Sequence, residues 1–100
     1  MTVRHVVVWR LKAEDAAVRA EHAAEVARRL GALDGVVPSI RALSVGPNVA
    51  YPEANADVAL VADFDDVVGL EAYQTHPAHV EAAAYVREVV ASRASVDFEV

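Results

Sequence analysis

Apolar and polar residues alternate from Val3 to Leu11. His5, Val7, Trp9 and Leu11 fall on one side of the chain, and Arg4, Val6, Val8 and Arg10 on the other. A period of two in a β-branched run predicts a strand. The period then lengthens. Val18, Ala23, Val26, Ala27, Leu30 and Leu33 recur at helical spacing, with Arg19, Glu21, Glu25, Arg28 and Arg29 mainly outside that stripe. Residues 16–33 therefore read as an amphipathic helix, with Asp15 as its cap. Asp34-Gly35 ends it, and Pro38 prevents its immediate continuation.

Residues 39–46 read as a second strand. Two prolines and two asparagines make residues 47–56 a loop. Residues 57–64 form a third strand, with Val58, Leu60, Ala62 and Phe64 opposed to Ala59 and Val61. Asp65-Asp66 opens a short helix that runs through Leu70 to Tyr73. Pro77 suits the first position of a further helix reaching about Ser92, whose inner stripe is His79, Ala82, Ala83, Val86, Val89 and Val90. Residues 93–100 complete a fourth strand. The order β-α-β-β-α-α-β predicts an α+β, ferredoxin-like plait over residues 1–100, a single domain with its second helix broken in two. The face left open by the helices is expected to carry Val6, Val8, Leu43, Val45, Ala59 and Val61. A patch of that size calls for cover, and two sheets meeting face to face would give a two-fold homodimer.

Composition narrows the function. Hydrophobic residues make up 55% of 100, which again favours association over a lone monomer. The formal net charge of −6 argues against nucleic acid, and the basic residues form no stripe: Arg4, Arg10 and Lys12 share a strand while Arg28, Arg29, Arg41, Arg87 and Arg93 are scattered. Without cysteine there can be no disulfide, thiolate metal site or cysteine nucleophile. No segment matches a signal peptide or a membrane span, so a cytoplasmic protein is expected.

The chemistry concentrates in Tyr73-Gln74-Thr75-His76-Pro77-Ala78-His79-Val80, where a phenol and two imidazoles sit at a turn between helices. Imidazole changes charge near neutral pH, and a phenol can orient or donate a proton. His79 lies on the inner stripe of its helix and should face the sheet. His76 precedes Pro77 and suits a helix cap, although it could also touch a ligand. In a plait the first and last strands are antiparallel neighbours, which brings His5 close to Asp97. If His79 reaches the same end, Asp97 could fix its tautomer. Trp9 shares the face of His5 and could wall a pocket. His76 and His79 are three apart, but Pro77 starts the helix between them and no familiar ligand pattern is completed, so no metal is expected. Neither a glycine-rich phosphate loop nor a serine nucleophile elbow is present.

Several segments in order resemble the stress-responsive dimeric α/β-barrel (Dabb) family. They are Arg4-His5-Val6-Val7-Val8-Trp9-Arg10-Leu11-Lys12, Asp57 to Asp65, Leu70-Glu71-Ala72-Tyr73, His76-Pro77-Ala78-His79-Val80 and the closing Ser92 to Val100. The resemblance implies a homodimer whose sheets form a central barrel. It also resembles, in the turn, the family's plant olivetolic acid cyclase branch, which closes a linear polyketide by an intramolecular aldol step without a cofactor. That likeness implies roles for Tyr73 and His79 in catalysis, for His5 in the pocket and for Asp97 as the carboxylate that orients the catalytic histidine. A third-strand histidine of that branch falls on or beside Val58 here and is missing. The implied ligands are small carbonyl-rich or aromatic molecules, with no cofactor. The rival expectations are a non-catalytic binding or structural protein associated with stress, and a cofactor-independent monooxygenase built on the same dimeric plait.

Overall fold

The computed structural model describes all residues, 1–100. Its elements are β1 (Val3–Leu11), α1 (Ala16–Gly31), β2 (Ala42–Pro47), β3 (Val58–Phe64), α2 (Val67–Thr75), α3 (Pro77–Val89) and β4 (Val90–Glu99). The four strands form one antiparallel sheet in the order β2-β3-β1-β4, the ferredoxin-like arrangement. The expected order of elements holds throughout.

Local signals set the boundaries. The Asp15 carboxylate accepts from the backbone N–H of Ala17 at 2.9 Å and of Val18 at 3.0 Å, satisfying two donors that the first turn leaves free. Helix α1 stops at Gly31, two residues earlier than its apolar stripe suggests, because Leu33 packs into the core from a turn. Gly35 there takes a φ of 82°, a conformation that costs glycine nothing. Strand β2 begins at Ala42 and not Ser39. Its only neighbour is β3, and the ladder between them starts at Ala42 opposite Asp63, while Ile40 N–H still bonds back to Val37 in a turn. At the other end, α3 gives way to β4 at Val90 with no loop. Val90 already pairs with Leu11, and Lys12 N–H bonds to Val89 O at 2.9 Å.

In antiparallel pairs, residues directly opposite share a face. Val3, His5, Val7, Trp9 and Leu11 of β1 therefore lie with Val58, Leu60, Ala62 and Phe64 of β3 beneath the helices, where they meet Val26, Leu30, Leu70, Tyr73, Ala82 and Val86. The register corrects one expectation. Leu43 pairs with Ala62 and Val45 with Leu60, so both belong to the helix-covered face. Ala42, Ser44 and Gly46 are the β2 residues on the open side. The open face is instead completed by β4, whose Ala94, Val96 and Phe98 lie opposite Val8, Val6 and Arg4. Val6, Val8, Ala59 and Val61 stand there as expected. Val96 and Phe98 remain 56% and 45% exposed.

Candidate functional site

His5 is the one polar residue buried with the apolar core, at 4% exposure among valines and leucines. A polar group placed so deep needs a partner. It has one. His5 faces Asp97 across the β1–β4 ladder, and its Nδ1–H donates to Asp97 Oδ1 in a very short contact. The geometry therefore corrects the expected pairing: Asp97 orients His5, and not His79.

His79 is anchored differently. Its Nδ1–H donates to the backbone carbonyl of Gln74 at 3.1 Å, an oxygen left free in the last turn of α2. Each histidine thus spends Nδ1 on a protein acceptor, which leaves Nε2 as the free ring nitrogen. Burial disfavours the charged form of His79. The nearby charges of His5, Arg87 and Arg93 act in the same direction, and its pKa falls below the ordinary 6.5 despite the Gln74 bond. His79 is consequently neutral at pH 7, with a lone pair on Nε2.

Tyr73 stands between the two imidazoles. Its ring centroid lies 4.4 Å from that of His79 and 6.2 Å from that of His5, and it packs at 5.1 Å on Phe64. The ring is buried, yet no group of the chain hydrogen-bonds its hydroxyl. Burial pushes the phenol up to about 12, so it stays protonated and can only donate usefully near neutral pH.

These three side chains open onto a cavity of roughly 320 Å³ between the sheet and α3, walled by Val7, Trp9, Leu30, Leu60 and Val86. Such a volume lies at the small end of the range for ligand pockets. The sequence-expected residues divide cleanly. His5, Trp9, Tyr73 and His79 line the cavity, and Asp97 supports it from behind His5. His76 does not reach it. Its Nδ1 accepts from Ala78 N–H at 3.1 Å, capping α3 in front of Pro77. No cluster of three or more His, Cys, Asp or Glu side chains stands close enough to hold a metal ion.

The fold has counterparts among known proteins. The model of the stress-responsive A/B barrel domain matches residues 3–100. The chain belongs to that family. Curated proteins offer no sequence match. Two solved structures are each 30% identical to this stress-responsive A/B barrel domain. One is a dimeric protein of unknown function and ferredoxin-like fold from Bacteroides fragilis, with a TM-score of 0.88, covering 99% of this chain and 96% of that one. The other is a dimeric ferredoxin-like protein of unknown function from Thermobifida fusca, with a TM-score of 0.84, covering 100% and 92%. A hydroxynitrile lyase from Passiflora edulis shares the fold at 16% identity, with a TM-score of 0.78, covering 99% and 93%.

Three residues of this A/B barrel site escape a reading of the sequence. Gln74 acts through its carbonyl oxygen, which no side-chain pattern can signal. Arg87 and Arg93 look scattered along the chain but both line the cavity. Arg87 lies eight residues beyond His79, two turns along the same stripe of α3, and a search for apolar residues alone passes over it. Arg93 precedes Asp97 by four in β4 and so shares its face.

Proposed function

We propose that the protein is a homodimer with one cofactor-free acid–base pocket per subunit, acting on a small carbonyl compound. The observation that carries this reading is the grouping of two imidazoles, each with Nδ1 committed and Nε2 free, around one unpartnered phenol hydroxyl. In the proposed step, His79 Nε2 takes a proton from the carbon beside a carbonyl. Tyr73 O–H donates to the oxygen as negative charge develops on it, and the apolar walls strengthen that bond. The carbanion then attacks a second carbonyl of the same molecule, and the resulting alkoxide recovers the proton from the His79 imidazolium. His5, held by Asp97, offers Nε2 to a hydroxyl of the bound molecule. The closure is an aldol-type cyclisation in which no redox partner is needed. Dimeric relatives of the same fold, and the apolar open face, support the homodimer.

Deuterium incorporation at the methyl group of acetophenone in D2O, followed by NMR, tests the proton transfer without knowledge of the true substrate. The wild-type protein is expected to accelerate exchange. Tyr73→Phe should remain folded and lose roughly a hundredfold of that rate, the usual effect of removing one oxyanion donor. A second reading is favoured by the mainly apolar walls: a pocket of this kind would equally serve a binding protein. No exchange by the folded wild type, at concentrations where acetophenone perturbs the His79 ring signals, would decide for binding alone.

A further inference from the structure

Most other arginines of this chain find carboxylates, and Arg10 donates instead to the Ala54 carbonyl at 3.1 Å. Arg4, Arg19, Arg28, Arg29 and Arg41 each lie within ion-pair distance of an Asp or Glu. With 15 acidic against 9 basic residues, partners are plentiful. Arg87 and Arg93 are exceptions that meet at one place. Arg87 makes no side-chain hydrogen bond, and Arg93 reaches only the Ser95 hydroxyl at 3.2 Å. The nearby carboxylate on the same side of β4, Asp97, is engaged by His5. Both residues line the apolar cavity, Arg87 from the last turn of α3 and Arg93 from β4 opposite Trp9. A cation in that last turn complements the helix dipole, but this accounts for neither its place in the cavity wall nor for Arg93.

We propose that Arg87 and Arg93 form an anion-binding end of the cavity, so that its ligand is a small acid with an apolar body and a carboxylate. The assignment rests on the acid–base reading for the histidine end and adds the substrate class. Guanidinium forks match carboxylate oxygens in geometry and charge, and both arginines are exposed at the rim, where an entering carboxylate can reach them. Two of them, from different elements, would fix one end of the molecule and so aim its carbonyl at Tyr73 and His79. The charges are felt there: both arginines oppose protonation of His79, and Arg93 also favours ionisation of Tyr73. A cavity of roughly 320 Å³ suits a single-ring or short-chain acid.

The test uses two probes of one shape, 3-benzoylpropionate and its neutral amide, titrated into the protein while the ring signals of His5 and His79 are followed by NMR. The acid is expected to bind at least about tenfold more tightly than the amide, the scale of a charge-assisted hydrogen bond. Arg87→Gln and Arg93→Gln should each remove much of that preference, and the double variant all of it, with the affinity for the amide unchanged. The acid should also move the His79 titration upward toward 6.5, and the amide should not. Equal binding of acid and amide to the wild type, with the histidine signals responding, overturns the anion end and leaves the acid–base reading intact. A preference for the acid that survives in the folded double variant overturns it too. Binding of neither probe also overturns it, while acetophenone exchange remains the separate check on the histidine end.

Discussion

The two faces of the sheet are built from the same strands and follow opposite rules. Beneath the helices, apolar residues are buried and one imidazole is buried among them; on the other face, apolar residues are exposed around the Arg4–Asp63 ion pair. Strand β1 contributes to both by simple alternation, so His5 and Val6 are neighbours in sequence with contrary environments. Each face keeps one feature that stability of a lone subunit does not call for. A buried polar group is costly unless paired, and an exposed apolar patch invites association. The proposed function accordingly sets the chemistry on the covered face and a second copy on the open one.

The largest expected effect separates the faces outright. Val96 lies on the open side and is 56% exposed, so Val96→Asp costs an isolated subunit little. Placed in an apolar interface, the same carboxylate would be desolvated without a partner. Light scattering after size exclusion should show a dimer for the wild type and a monomer for Val96→Asp at micromolar concentration, with acetophenone exchange retained. A monomeric wild type would end the assignment of the open face.

On the covered face, Phe64 is completely buried and supports the Tyr73 ring at 5.1 Å. Phe64→Ala should lower stability by about 3–5 kcal/mol, through lost burial and the cavity left behind. Urea denaturation at fixed protomer concentration measures it, since dimerisation contributes to the apparent value. A loss below about 1 kcal/mol would mean that the core beneath Tyr73 is looser than this packing.

A smaller effect concerns pH. The pKa of His79 is depressed in the fold, so the unfolded chain binds the proton more readily. Stability from this group is whole above 6.5 and is lost as pH falls through the lower folded value. His79→Gln should therefore be less sensitive to acid than the wild type between about pH 7 and pH 5. Parallel stability curves for the two proteins across that window would contradict the depressed value.

The fold was largely legible because its signals are periodic and redundant: the alternation in β1 and β3, the Asp15 cap and the Pro77 start each mark an element without knowledge of the rest. The sequence puts Leu43 and Val45 on the wrong face for a definite reason. Strand β2 is a short edge strand whose start depends on its ladder with β3, and an uncertain start leaves the face of each residue open. The site was legible as a set of residues and not as a set of bonds. His5, Trp9, Tyr73 and His79 could be named from type and face, whereas the partner of Asp97 depended on cross-strand register against helix placement. Gln74 was invisible because its contribution is a backbone carbonyl.

The finest effect tests that last distinction, and it contrasts the two histidines directly. His5 is held across strands by a carboxylate, and His79 within its own turn by a carbonyl. An asparagine at position 97 can turn either its amide oxygen or its amide nitrogen toward His5 Nδ1, so it no longer enforces one tautomer. In Asp97→Asn, the ring nitrogen signals of His5 should shift from the pattern of a single Nδ1–H tautomer toward a mixture. The His79 signals should keep theirs, because the Gln74 carbonyl accepts from Nδ1–H as before. Matching changes at both rings would mean that the two imidazoles share one proton network through Tyr73, and the division of labour between a held His5 and a basic His79 would have to be given up. A change at His79 alone would restore Asp97 to the role that sequence resemblance implied for it.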